Sequence, residues 1–159
     1  MFLFEKPRAS IFIEKLADAN NLLSLTGTKV LVDSNVLAPI VKTAIQWSTQ
    51  ETIDSNTFTH STSANSHQIT VKKAGDYLLL YNDAFKNGNR RNNPRVSVQV
   101  NGGDVEGALS KTHYNRRASG HDESSTSLVF LVRGLVADDV VTVRSAAMNP
   151  VTASSTPAT

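Results

Sequence analysis

The chain is predicted to be all-β, an antiparallel sandwich or barrel, from three observations in its 159 residues. Apolar and polar residues alternate with period two: Val96, Val98 and Val100 stand against Ser97 and Gln99, and Ile69 and Val71 against Thr70 and Lys72. Such alternation marks half-buried strands. Turn chemistry separates these runs, at Lys73-Ala74-Gly75 and at Asn101-Gly102, the latter a strong hairpin signal because both residues tolerate positive φ. Helical periodicity is scarce by comparison, and many short strands with turns between them belong to a sandwich or barrel.

In chain order, Ser10 is placed to cap a short helix carrying Phe12, Ile13, Leu16 and Ala17 on one face. Ile11-Phe12-Ile13 reads equally as an extended arm, and Asn20-Asn21 and Thr26-Gly27-Thr28 read as breaks. Two short apolar runs, 29–32 and 36–41, flank a turn cluster at Asp33-Ser34-Asn35. Residues 43–49 bring Ile45 and Trp47 to one face as a first strand, and Ile53 and Phe58 are the inward anchors of the polar stretch that follows. The long apolar run 76–85 precedes the Val96–Val98–Val100 strand, and 105–109 is a weaker run. Residues 124–133 are apolar on both faces, Leu128, Phe130 and Val132 on one and Val129 and Leu131 on the other, which suits a strand within a sandwich or at a subunit contact. Residues 140–144 form the last clear strand, and 148–159 are small, polar and Pro-bearing. The expected division is an N-terminal arm or attachment segment (1–44), a β domain (45–147) and a flexible C-terminal tail (148–159).

Composition removes several function classes. With no cysteine, zinc–thiolate sites, thiol nucleophiles and disulfides are excluded. The net charge of +2 is close to balanced and gives no reason to expect nucleic acid. No apolar run approaches the roughly 20 residues needed to span a bilayer, and the Met1–Phe4 run is too short for a signal-peptide core. His113, His121, Asp122 and Glu123 share one polar loop but fit no metal-ligand spacing, so no metal and no cofactor are expected. No serine sits in a nucleophile elbow, Asp138-Asp139 reads as a turn, and Asp104 with Glu106 flanks a hairpin. The expectation is a non-enzyme. Arg90, Arg91, Arg95, Arg116 and Arg117 lie in two loops that could converge into a cluster binding an acidic partner surface, a sugar phosphate or a carboxylate. Aromatics are not interleaved with them, which disfavours single-stranded nucleic acid.

The order of signals from Ile45 to Val143 resembles the jelly roll shared by the complement-1q globular head and tumour necrosis factor, and most closely its stand-alone versions in phage structural proteins. The resemblance covers about two-thirds of the chain and is carried by ITVKKAGDYLLLY at 69–81, RVSVQVNG at 95–102, and SLVFL at 127–131 leading to DDVVTV at 138–143. Trp47, Ile53-Asp54 and Phe58-Thr59-His60 echo the family's opening segment. Gly75 is expected to supply a left-handed turn, and Tyr77 to fill the core with its hydroxyl at the edge. Asp138 stands where the family has Gly, a substitution Asp tolerates. No final strand is evident after Val143, so the Thr152-Ala153-Ser154 region, a neighbouring chain or the N-terminal segment is expected to fill that place.

The resemblance implies an antiparallel jelly-roll β-sandwich with a short irregular or partly helical N-terminal segment. It also implies a homotrimer, with Tyr81, Phe85 and Phe130 as trimer-contact candidates and Leu79 and Leu131 beside them. The function it implies is that of a virion structural protein, a phage capsid decoration (cement) protein on the major capsid protein lattice, made in the host cytoplasm. On that view, removing residues 1–27 abolishes shell binding and leaves trimers intact. The alternative is a receptor- or glycan-binding tip of a tail fibre, reading its ligand with the 111–123 loop.

Overall fold

A computed structural model describes residues 8–16, 22–28, 42–86, 93–112 and 123–148. Eleven strands are present, with no helix among the described residues. They are β1 (Arg8–Lys15), β2 (Leu22–Thr28), β3 (Thr43–Ala44), β4 (Gln46–Ile53), β5 (Phe58–Thr59) and β6 (Ile69–Val71), then β7 (Gly75–Lys86), β8 (Asn93–Val100), β9 (Gly103–Lys111), β10 (Glu123–Leu135) and β11 (Val140–Met148). The first sheet has the order β10-β7-β1-β2-β4; the second has the order β5-β6-β11-β8-β9, with β3 also paired to β11. All pairings are antiparallel. From β2 onward the chain changes sheet at every step except β5–β6 and β8–β9, and the two sheets form a jelly-roll sandwich.

The inward faces build one core. From the first sheet come Ile11, Ile13, Leu23, Leu25, Trp47, Tyr77, Leu79, Tyr81 and Phe85, and from the second Ile69, Val71, Val96, Val98, Val141 and Val143, all buried. Trp47 meets Tyr81 edge-on at 6.5 Å, and Phe58 meets Tyr77 at 5.8 Å, geometries favoured by the ring quadrupole. Tyr77 places its hydroxyl at the margin, donating to Lys73 O at 2.6 Å, as the sequence suggested. Burial, and then the Asp83 charge, push the Tyr81 hydroxyl above the ordinary phenol range, so it stays protonated and donates to the Asp83 carboxylate.

The expected turns hold. Asn101 and Gly102 both have positive φ (51° and 82°) in a two-residue hairpin joining β8 to β9, and Asp138 takes φ 72° in the turn before β11. Gly75 also has positive φ (153°), a backbone that side-chain-bearing residues rarely adopt, where β7 begins.

Three expectations are corrected. The helix capped by Ser10 is instead a strand, β1, hydrogen-bonded to β2 on one side and to β7 on the other. Ile11 and Ile13 point inward while Ser10, Phe12 and Glu14 point outward, so the period-two pattern prevailed over the competing helical one. Secondly, Thr26-Gly27-Thr28 is no break but the end of β2. Glycine is required there because β4 crosses so closely that an added Cβ would lie 2.2 Å from Gln46 O and 2.7 Å from the Trp47 ring. Thirdly, the segment placed ahead of the domain as an arm contributes two strands to its first sheet. Of the sources open for a further strand beside β7, the N-terminal segment supplies one: β1 lies beside β7, on the side away from β10. The apolar runs at 29–32 and 36–41 and the tail beyond Met148 lie outside the described residues.

Residues 43–53 close one side of the sandwich. β3 pairs with β11 in the second sheet, Ile45 N donates to Val143 O at 2.9 Å, and the chain then enters the first sheet as β4. On the opposite side, Ser110 of β9 hydrogen-bonds to Thr126 Oγ1 and to Ser127 O of β10.

Candidate functional site

With the inward residues committed to the core, function falls to the two outer faces. On the first sheet, register places two rows across four strands: Ser24–Phe12–Leu80–Val129, and beside it Leu22–Glu14–Leu78–Leu131. Six of these eight side chains are apolar. Val129 is 66% exposed, and Phe12, Leu22, Leu78, Leu80 and Leu131 are half-buried. Strands spaced at about 4.8 Å make this face roughly 14 Å wide. The neighbouring row, Ser10–Asn82–Ser127, is polar and edges an open cleft of about 500 Å³ lined also by Ala84, Ser125 and Thr126.

The trimer-contact candidates lie elsewhere. Tyr81 (0% exposed) and Phe85 (1%) point into the chain's own core and have no surface to offer a neighbour. Phe130 also points inward, half-buried, with its ring 3.5 Å from the position of a Cβ on Gly107. The alternation of β10 sends Val129 and Leu131 outward instead, and β7 does the same for Leu78 and Leu80. Of the five arginines expected to cluster, only Arg95 is among the described residues; Arg90, Arg91, Arg116 and Arg117 lie outside them.

The outer face of the second sheet is polar but not solvated. Ser97 (7% exposed) and Gln99 (8%) of β8 and Thr142 (6%) of β11 are buried, although they point away from the core. Gln99 Nε2 donates to Asp104 at 2.8 Å, and Asp104 also pairs with Lys42. The Lys42 hydrogen bond, and then that from Gln99, hold the Asp104 carboxyl below its ordinary range. Nearby, Arg144 Nη1 donates to Lys42 O at 3.2 Å.

Two further acids, Asp139 and Asp54, serve turns. Asp139 accepts from Val136 N at 2.8 Å and from Asn101 Nδ2 at 2.7 Å, the first of these being the main cause of its lowered pKa. Asp54 accepts from Thr57 Oγ1 at 2.6 Å and from Asn56 N at 3.0 Å, and both bonds lower its pKa. His60 lies 3.3 Å from Gln50 Oε1 and 3.1 Å from Ser66 O, bracing the loop before β6. Among the described residues no three of His, Asp and Glu are grouped to hold a metal. His113, His121 and Asp122 lie outside them. No helix among the described residues is long and apolar enough to cross a membrane.

No model of a known protein family matches the chain, and no curated protein matches it.

Proposed function

We propose that the protein is a non-enzymatic structural protein that works as a homotrimer, and that its place is a virus shell, as a decoration (cement) protein bound to the major capsid protein lattice. The observation that carries the self-association is the outer face of the first sheet. Phe12, Leu78, Leu80, Val129 and Leu131 form a contiguous apolar surface on rigid strands, the kind of face that marks a protein–protein contact. A second copy is the favoured occupant because the same face on each chain is apolar, with Glu14 as its one charged member in the two central rows. The assignment to a virion rests on the resemblance of 69–81, 95–102 and 127–143 to stand-alone phage jelly rolls.

Val129→Glu tests both steps. The residue is exposed, so the fold is expected to survive with an unchanged far-ultraviolet circular dichroism spectrum, while three charges brought together at the contact disperse the trimer to single 17.2 kDa chains. The unaltered protein should co-sediment with undecorated capsid shells and the variant should not. A variant that keeps its full mass would remove this face from the contact. A protein that ignores shells but binds glycans would favour the tail-fibre reading.

A further inference from the structure

Outward-facing polar side chains on a sheet normally meet water. On the second sheet several outward-facing polar atoms do not. Thr142 Oγ1 and Gln99 Oε1, from residues directly opposite each other on β11 and β8, are buried without a hydrogen-bond partner. So are Arg95 Nε and Arg144 Nε on the same face. A buried polar atom left unpaired is costly, most of all on a charged group. Two of these atoms, Thr142 Oγ1 and Arg144 Nε, are donors on residues that line one cleft, and they make it a candidate ligand site.

The arrangement of donors indicates the ligand's chemistry. With Nη1 of Arg144 engaged by Lys42 O, its Nε–Nη2 edge remains, the edge that grips two oxygens of a carboxylate or phosphate side by side. Beside it opens a cleft of about 280 Å³, lined by Thr142, Arg144, His67, Gln68, Asn101 and Val140. Thr142, more than nine-tenths buried, contributes the unpaired hydroxyl. The two nearby acids are engaged elsewhere, Asp104 with Lys42 and Gln99 and Asp139 with Val136 and Asn101. Neither forms an ion pair with Arg144 among the described residues.

We propose that this cleft binds a small oxyanion group, a carboxylate or a phosphate, held by the side edge of Arg144 with the Thr142 hydroxyl donating to the same anion. The site is independent of the apolar face and of the virion assignment. Acetate and inorganic phosphate, titrated separately into the full-length protein with chloride holding ionic strength constant, distinguish the two chemistries. Amide resonances of His67, Thr142 and Arg144 should move saturably with at least one of them. Response to acetate alone identifies a carboxylate site, and to phosphate alone a phosphate site.

Arg144→Gln should abolish the response. Thr142→Val keeps the side-chain shape and removes an unpaired hydroxyl, so it should leave the protein at least as stable as before. It should nevertheless weaken the anion by about tenfold, the loss of one hydrogen bond to a charged group. No saturable shift with either anion, or an undiminished one in Thr142→Val, would overturn the proposal.

Discussion

A chain lacking residues 1–27 is expected not to fold. The deletion removes β1 from the middle of the first sheet and nearly all of β2, and with them Ile11, Ile13, Leu23 and Leu25, each at most 2% exposed. Truncating one such aliphatic side chain costs about 2–5 kcal/mol. Four together match or exceed the whole margin of about 5–15 kcal/mol that holds a domain folded. The backbone loss adds to this, since β7 and β4 would each be left with an unpaired edge inside the sheet. Circular dichroism and thermal unfolding of the truncated chain should show no cooperative transition. A cooperative transition near that of the full chain would mean that β1 is dispensable, as an arm would be. This reverses the expectation that trimers survive the truncation, because that expectation treated the segment as an attachment.

Gly27→Ala is expected to be the most damaging single-methyl addition in the protein. The new Cβ would stand 2.2 Å from Gln46 O and 2.7 Å from Trp47 Cε3, and the first of these is backbone in the adjacent strand. Neither neighbour can give way without moving β4 or the largest ring of the core. The penalty should reach at least about 3 kcal/mol, the upper end of ordinary over-packing, and lower the thermal midpoint by about 6–12 °C in a domain of this size. Gly103→Ala is the control, since its methyl would make a single ordinary contact, 3.5 Å from Val100 O. It should shift stability by less than about 0.5 kcal/mol. Equal effects at the two positions would show that the close approach of β2 and β4 is not tight.

What was legible in the sequence is what alternation and turn chemistry encode locally. The inward valines of β8, the Asn101-Gly102 hairpin, the Asp138 turn and the anchors Trp47 and Phe58 could all be read without knowing what lay across from them. The strand at Arg8–Lys15 was harder, because Ile11-Phe12-Ile13 with Leu16 satisfies a helical face as well as an extended one. Only its pairing with β2 on one side and with β7, distant in sequence, on the other decides the matter. Gly27 read as a break for the same reason: its requirement is set by Trp47 arriving from another strand, and no local pattern carries that.

The surfaces follow the same rule. That β10 is apolar on both faces was visible at Val129 and Leu131, but which aromatics turn inward was not, so Tyr81 and Phe85 stood as contact candidates until register placed them in the core. On β8, Ser97 and Gln99 were correctly assigned to the face opposite the valines. Both are buried, Gln99 with its amide on Asp104, and polarity alone gave no sign of it.

The most direct test of the central claim is the light-scattering mass of the full-length protein in solution. The proposed trimer, packed through the apolar outer face of the first sheet, gives a particle of three chains of 17.2 kDa each, unchanged on dilution through the micromolar range. A single-chain mass at every concentration would contradict it, leaving the apolar face of Phe12, Leu80 and Val129 uncovered on a monomer and removing the basis for a trimeric shell protein.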